Sequence, residues 1–207
     1  LYIIGGKSTM RQKNGGFSLI ELIVSIAILA IVSLTAMGFM ASGANSFSSV
    51  SGNVSLQVRS QLAMGNIQEK MIDCNFGLDF HDATDTLYII NSKIVPDPAH
   101  PSAVLTVYTV GVYEFRDGAI YFGEHPCTLA GPGQMTFSGD APDLLVKGVS
   151  DFTVSFQSYT TLEGGLKLSG ATINILFTER GRQFRDIQTT ALRNNPIPLT
   201  VTATSTP

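Results

Sequence analysis

The sequence predicts an α+β fold in which one long N-terminal helix is followed by an antiparallel β-sheet. Three observations predict it. The segment 22–58 contains no Asp, Glu, Lys or Arg. All nine prolines lie between Pro96 and Pro207, so no proline interrupts a helix before them. Alternating apolar and polar residues, rich in β-formers, begin only after Asp73.

The first apolar segment, 17–41, is long enough to cross a membrane. Its charge-free part, 22–41, spans about 30 Å as a helix, the thickness of a bilayer core. The run is longer than a typical signal-peptide core and apolar on all faces. These features favour a transmembrane anchor over a cleaved secretory signal or a buried helix of a soluble domain. Three basic residues precede it (Lys7, Arg11 and Lys13), which predicts a cytoplasmic N-terminus and an extracytoplasmic remainder.

Glu21 is the unusual residue of this segment. A carboxylate in hydrocarbon costs about 2.5–3.5 kcal/mol at the helix centre and less near the interface. The helix macrodipole stabilises a negative charge in the first turn by about 0.3–1 kcal/mol. Glu21 is therefore either an acid that the first turn of its own helix tolerates, or a charge that pairs with a cation of a partner.

Residues 13–22 read KNGGFSLIEL and carry a specific resemblance. They resemble the processing site of type IV prepilins and pseudopilins: a short basic leader ending in glycine, a phenylalanine, and a glutamate four residues later that opens an apolar helix. The resemblance implies cleavage between Gly16 and Phe17 by prepilin peptidase, where a glycine lets extended backbone enter a narrow active site. It also implies N-methylation of Phe17 and pairing of Glu21 with the Phe17 ammonium group of a neighbouring subunit.

The resemblance also implies the partners: prepilin peptidase, other pilins, an assembly ATPase, an inner-membrane assembly platform and membrane lipid. The pilin-like fold it implies has a protruding apolar half-helix and an amphipathic half-helix packed on the sheet. The predicted domains are a basic leader (1–16), a transmembrane and assembly helix (17–41), an amphipathic continuation (42–73), a β-rich globular domain (74–195) and a flexible tail (196–207).

The amphipathic continuation shows apolar residues near helical spacing, although its Ser/Gly-rich start, 42–53, is the least helical part and a candidate hinge. The apolar residues are Leu56, Val58, Leu62, Met64, Ile67, Met71 and Ile72. Asp117-Gly118 between two β-rich runs predicts a two-residue hairpin. Other predicted strands include 87–90, 104–108, 152–156, 173–177 and a last strand from Gln183 to Leu192.

The two cysteines, Cys74 and Cys127, predict one disulfide in an extracytoplasmic domain, with two free thiols as the alternative. Such a bridge would tie the end of the helix to the loop after the hairpin. The sequence does not decide between the two states.

No catalytic constellation is found. The histidines are His81, His100 and His125, and the cluster Glu124-His125-Pro126-Cys127 lacks the paired spacing of a zinc site. The acids Asp79, Asp82 and Asp85 fit a solvated loop better than a calcium loop. We therefore predict no catalytic residue, no metal and no cofactor, and a protein that is not an enzyme.

The charge distribution bears on polyanion partners. The chain has a net charge of −3, and its basic leader leaves a more acidic remainder, which argues against a broad nucleic-acid surface. The C-terminal arginines are either a small polyanion patch or the solvated face of a strand. They are Arg180, Arg182, Arg185 and Arg193.

Together these features predict a structural subunit, a minor pilin of a type IV pilus. Gly38 and Gly43 stand where many major pilins carry a proline, which favours a minor subunit. It would be a single-pass membrane protein with an extracytoplasmic C-terminal domain, at the cell surface after assembly. The first alternative is a pseudopilin of a type II secretion or competence DNA-uptake system. The second is a membrane-tethered extracytoplasmic binding domain.

Overall fold

A computed structural model describes residues 18–100, 103–131, 133–139 and 142–203. The chain divides into two units, residues 1–49 and 50–207. One helix, α1 (Leu19–Asp73), contributes to both units, and all the strands among the described residues lie in the second. The α+β fold class is therefore confirmed.

The first unit is helical over its described residues after Ser18, and every side chain from 18 to 50 is exposed. By length and composition, α1 is apolar enough to cross a membrane. The Ser/Gly-rich start of the continuation, 42–53, is helical throughout, which corrects the expectation of its being the least helical part. In the second unit the Arg182 guanidinium lies close to Gly52, where a Cβ would be 2.5 Å from it.

The second unit buries one face of its part of α1. The buried residues are Leu56, Ser60, Ala63, Met64, Ile67 and Met71. Val58 and Leu62, which the sequence groups with this apolar face, are instead 57% and 58% exposed. Their positions along the helix place them on the opposite side, where the described part of the chain does not cover them.

Eleven strands follow α1 in the described residues. They are β1 (Gly77–His81), β2 (Thr86–Pro96), β3 (Val104–Arg116), β4 (Ala119–Gly131), β5 (Gln134–Phe137), β6 (Asp143–Lys147), β7 (Val149–Thr160), β8 (Leu166–Glu179), β9 (Arg182–Ala191), β10 (Ile197–Pro198) and β11 (Thr200–Ala203). The large sheet has the order β10-β1-β2-β3-β4-β5-β11, with β6 paired to β4, and the small sheet has the order β7-β8-β9.

The predicted hairpin at Asp117-Gly118 is confirmed. It joins β3 to β4, and both turn residues have positive φ angles, 50° and 71°. Such a turn matches the right-handed twist of the flanking strands. The last predicted strand, Gln183 to Leu192, is β9 within one residue at either end.

The segment predicted as a flexible tail contains β10 and β11, so that expectation is corrected for residues 197–203. Only Leu199 separates these two strands, and β10 pairs with β1 in parallel while β11 pairs with β5 in parallel. Because β1 and β5 stand at opposite ends of the strand order, this short segment closes the large sheet on itself. Residues 204–207 lie outside the described residues.

The closed sheet separates two clusters of buried side chains. Along β2, Leu87 and Ile89 point into the main cluster, whereas Tyr88 and Ile90 point into the inner cluster, as strand alternation requires. The main cluster also contains the buried face of α1 and the core of the small sheet. The inner cluster consists of Tyr88, Ile90, Val110, Val112, Cys127, Met135, Leu199 and Val201.

Candidate functional site

The residues of the N-terminal motif divide at Ser18. The leader 1–16, the cleavage pair Gly16 and Phe17, and the methylation position Phe17 lie outside the described residues. From Ser18 onward the motif is the first turn of α1. The Ser18 carbonyl accepts hydrogen bonds from the Glu21 and Leu22 amides at 3.0 and 3.1 Å, so the helix is already formed at Glu21.

Glu21 lies in the first turn of α1 and is exposed. Its backbone carbonyl accepts a hydrogen bond from the Ser25 hydroxyl at 2.7 Å. Among the residues that the structure describes, no cation pairs with its carboxylate. The helix thus carries an exposed acidic side chain at the positive end of its macrodipole.

The helix after Glu21 presents apolar side chains on all sides. Large hydrophobic residues between 19 and 40 are all more than half exposed in the isolated chain, and Phe39 reaches 86%. An apolar surface of this extent is not stable against water and must be covered by lipid or by other helices. By length and composition, this helix could cross a membrane.

The two cysteines are free thiols in the structure, in place of the disulfide that the sequence allowed. Cys74 belongs to the main cluster and Cys127 to the inner cluster, so the large sheet lies between them. Burial raises the thiol pKa of each from 9.0 to about 11. Thiols held in this protonated form are poor nucleophiles and poor metal ligands.

The other candidate ligands are not brought together. Asp79 accepts the Val201 amide at 2.7 Å and contacts the His81 ring nitrogen at 3.0 Å, while Asp85 lies in the β1–β2 turn with φ of 46°. His125 stacks on Phe137. Within the described ranges, no group of three or more His, Cys, Asp or Glu side chains could hold a metal ion.

The four C-terminal arginines occupy different surroundings. Arg180 lies in the turn between β8 and β9, and Arg185 is an exposed residue of β9. The Arg182 guanidinium lies against Gly52, and Arg193 pairs with Asp73 at 3.6 Å.

Sequence reasoning missed the role of Asp79 and of Asn194. Asn194 donates its amide to the Cys74 carbonyl at 3.1 Å, and Asp79 binds the backbone of β11. Neither residue carries a motif that would have identified it, because each acts across more than 100 residues of chain.

The comparison with protein families finds the same N-terminal region. Residues 11–37 match the family described as the prokaryotic N-terminal methylation motif. No match was found among curated proteins. The motif implies processing by prepilin peptidase and assembly with other pilins. The chain therefore carries the type IV prepilin-like signature and, with its long apolar helix, has the features of a pilin- or pseudopilin-type subunit.

Proposed function

We propose that this protein is a minor pilin, a structural subunit of a type IV pilus. In this proposal prepilin peptidase cuts between Gly16 and Phe17, Phe17 is N-methylated, and α1 carries the subunit from the membrane into the filament. The observation that carries it is the coincidence of the methylation motif at residues 11–37 with an apolar helix whose large side chains from 19 to 40 are left more than half exposed by the described residues.

The Glu21 carboxylate supports the assembly role. When α1 packs among other apolar helices, this charge loses its water and requires a cation. Cleavage before Phe17 creates an ammonium group four residues away in sequence, and the equivalent group of a neighbouring subunit is the cation we propose. The pair would set the axial position of one subunit against the next. The alternative is that Glu21 only stabilises the start of its own helix.

The second unit adds a surface suited to helix packing. Val50, Val54, Val58 and Leu62 follow one another at intervals of four residues and are all more than half exposed. Side chains at this spacing lie on one face of a helix. The opposite face of the same segment is buried in the main cluster. We propose that this apolar stripe packs against another subunit.

The first experiment is to express the chain in bacteria that assemble type IV pili and to measure the N-terminus and intact mass of the mature product. A product that starts at Phe17 with one added methyl group is expected. Gly16→Val should block this processing, and Gly15→Val at the neighbouring glycine is the matched control. A product that starts near Ala44, or an uncut wild-type chain, would contradict the proposal.

The role of Glu21 is tested separately from processing. Glu21→Gln keeps the shape of the side chain and removes its charge, whereas Glu21→Asp keeps the charge on a shorter side chain. We expect Glu21→Gln to be processed normally but to be lost from sheared surface filaments, and Glu21→Asp to be retained in part. Unimpaired incorporation of Glu21→Gln would assign the residue to helix capping alone.

The same motif occurs in pseudopilins, so a separate experiment must distinguish a type IV pilus from a secretion or DNA-uptake pseudopilus. Deletion of the gene in its native cells is expected to reduce surface pili. A loss of protein secretion or of DNA uptake with normal pili would instead assign the chain to a pseudopilus.

A further inference from the structure

The turn between β8 and β9 lies against α1 at one end of the second unit. Arg59 on α1 pairs with Glu179 at 3.1 Å, and the Arg182 guanidinium lies close to Gly52. A Cβ at Gly148, between β6 and β7, would lie 3.3 Å from the Arg59 guanidinium. This part of α1, the β8–β9 turn and the β6–β7 connection therefore meet.

Two further turns adjoin the same end. The carbonyl of Gly118, in the turn between β3 and β4, accepts the Gly148 and Val149 amides at 2.9 and 3.0 Å. The carbonyl of Asp85, in the turn between β1 and β2, accepts the Phe115 amide at 3.1 Å. These contacts make one continuous surface that runs from α1 to the β1–β2 turn.

Charge is divided across this surface. The part nearest α1, which we call the basic side, comprises residues 52–59, 147–148 and 179–182. Its four basic residues and one acid are Arg59, Lys147, Arg180, Arg182 and Glu179. The part formed by residues 82–85 and 114–118, which we call the acidic side, has four acids and one basic residue: Asp82, Asp85, Glu114, Asp117 and Arg116. The two sides therefore carry opposite net charges.

Each side keeps exposed charges outside the internal ion pairs of the described residues. Lys147 and Arg180 are exposed on the basic side, and Asp82 is exposed on the acidic side. Among the residues that the structure describes, none of these three forms an ion pair. The separation of charge is therefore available to a partner.

The pattern fits a second copy of this chain better than a polyanion. An anionic lipid surface or a nucleic acid that approached this end would meet the acidic side together with the basic side, and like charges repel. A second copy carries both complementary surfaces. Because both lie at the same end of the second unit, two copies side by side with parallel helices place the basic side of one opposite the acidic side of the other.

The apolar stripe of α1 adjoins the basic side. Arg59 directly follows Val58, and Gly52 lies between Val50 and Val54 in sequence. On the helix, Arg59 and Gly52 lie between the stripe and the buried face. Exposed ion pairs alone contribute little free energy, so an apolar neighbour matters. In such a contact the apolar stripe supplies affinity, and the charges supply orientation.

We propose that the basic side of one copy docks on the acidic side of a neighbouring copy, next to the apolar stripe. The contact joins two different surfaces, so it can repeat from copy to copy, as a filament requires. This inference rests on the proposed function for the parallel arrangement of neighbouring helices. It adds the identity of one neighbour and the surface that this neighbour occupies.

The test measures self-association of the full chain in phosphatidylcholine vesicles that contain no other protein. A cysteine added after Pro207 is labelled with a donor or an acceptor dye, while Cys74 and Cys127 are buried. Energy transfer between copies is followed against protein density. Arg180→Asp and Asp82→Lys should each weaken association about threefold or more, because each replaces an attraction by a repulsion. Aspartate is tolerated at position 180, where φ is 51°.

Combining the two reversals in one chain is the decisive step. Arg180→Asp with Asp82→Lys reverses one charge on each side, so association should return to within about 1.5-fold of the wild type. Lys93→Glu and Glu163→Lys are the matched controls, because they make the same changes in net charge at exposed positions outside this surface. Both controls should associate like the wild type. Lys147→Glu replaces Arg180→Asp if that variant does not fold.

Single reversals that associate as well as their controls would overturn the proposal and assign the basic side to a different partner, such as anionic lipid. A combined variant as weak as the single variants would overturn it too, because the two sides would then not face each other. The vesicles contain no prepilin peptidase, so these outcomes are independent of the N-terminal processing that tests the proposed function.

Discussion

Gly77 is a position where the closed sheet leaves no room for a side chain. A Cβ atom at Gly77 would lie 2.1 Å from Cδ1 and 2.5 Å from Cγ of Leu199, and 2.9 Å from the Ile197 carbonyl oxygen. Carbon atoms in ordinary contact are about 3.5–4.0 Å apart. Gly77→Ala therefore forces Leu199 to retreat by more than about 1 Å, and the nearby backbone of Ile197 limits how it can do so.

The cost can be worked from this geometry. Partial loss of the buried Leu199 side chain costs up to about 1.5–3 kcal/mol, similar to measured overpacking penalties. Alanine in a strand recovers about 0.5–1 kcal/mol relative to glycine. We expect a net loss of about 1–2 kcal/mol, which lowers the melting temperature of a unit of this size by about 2–8 °C.

The assay is thermal unfolding of the full chain in detergent micelles, followed by the near-ultraviolet circular dichroism of tyrosine, since the chain has no tryptophan. Gly65→Ala is the matched control, because a Cβ there meets nothing within 4 Å. Helix propensity predicts that this control is neutral or slightly stabilising.

Two results would refute the reasoning. The first is a Gly77→Ala variant that melts within about 1 °C of Gly65→Ala. The second comes from a double-mutant cycle: in the Leu199→Ala background Gly77→Ala should cost clearly less, because its main steric partner is gone. If the two changes in unfolding free energy simply added, the side chain introduced at position 77 and that of Leu199 would not be in contact.

Three further predictions concern buried polar groups. Burial raises the Cys74 thiol pKa from 9.0 to about 11, so the folded chain binds this proton more tightly than the unfolded chain does. The contribution of this group to the free energy of unfolding is therefore complete below pH 9.0 and is lost as the pH rises towards about 11. Denaturant unfolding between these pH values should show a shallower decline for Cys74→Ala than for the wild type, and parallel curves would contradict this. The fully buried Ser60 hydroxyl donates to the Asp186 carboxylate, so Ser60→Ala should cost about 1–3 kcal/mol in the same assay, while equal stability would mean that water replaces the hydroxyl. The Tyr113 hydroxyl donates to the Asn66 side-chain oxygen at 2.6 Å, and Tyr113→Phe should cost about 0.5–1.5 kcal/mol. A Tyr113→Phe variant as stable as the wild type would show that this bond contributes nothing net.

Much of the fold could be predicted from local pattern. The apolar stretch without proline predicted α1, and the Asp117-Gly118 pair predicted the turn between β3 and β4. Both features depend on interactions between residues close in sequence, which is why the sequence displays them. The N-terminal signature is equally local, and the family match at residues 11–37 agrees with it.

Other features were misjudged because they depend on distant partners. The segment 196–207 looked like a tail because proline and threonine give no strand pattern, yet residues 197–203 gain their structure by pairing with β1 and β5. Val58 and Leu62 looked like core residues, yet the small sheet and the large sheet pack only against the other face of α1.

By itself the sequence determined that one long helix precedes a β-rich part, and that the N-terminal segment carries a prepilin-like signature on an apolar helix long enough to cross a membrane. It could do so because helix propensity, alternation, turn chemistry and membrane partitioning act over a few neighbouring residues. Only the tertiary structure decided that the large sheet closes, that Cys74 and Cys127 lie on opposite faces of it, and that Asp79 and Asn194 hold the closing segment 193–203 in place. These outcomes depend on strand pairing across more than 100 residues, for which a single sequence holds no local signal.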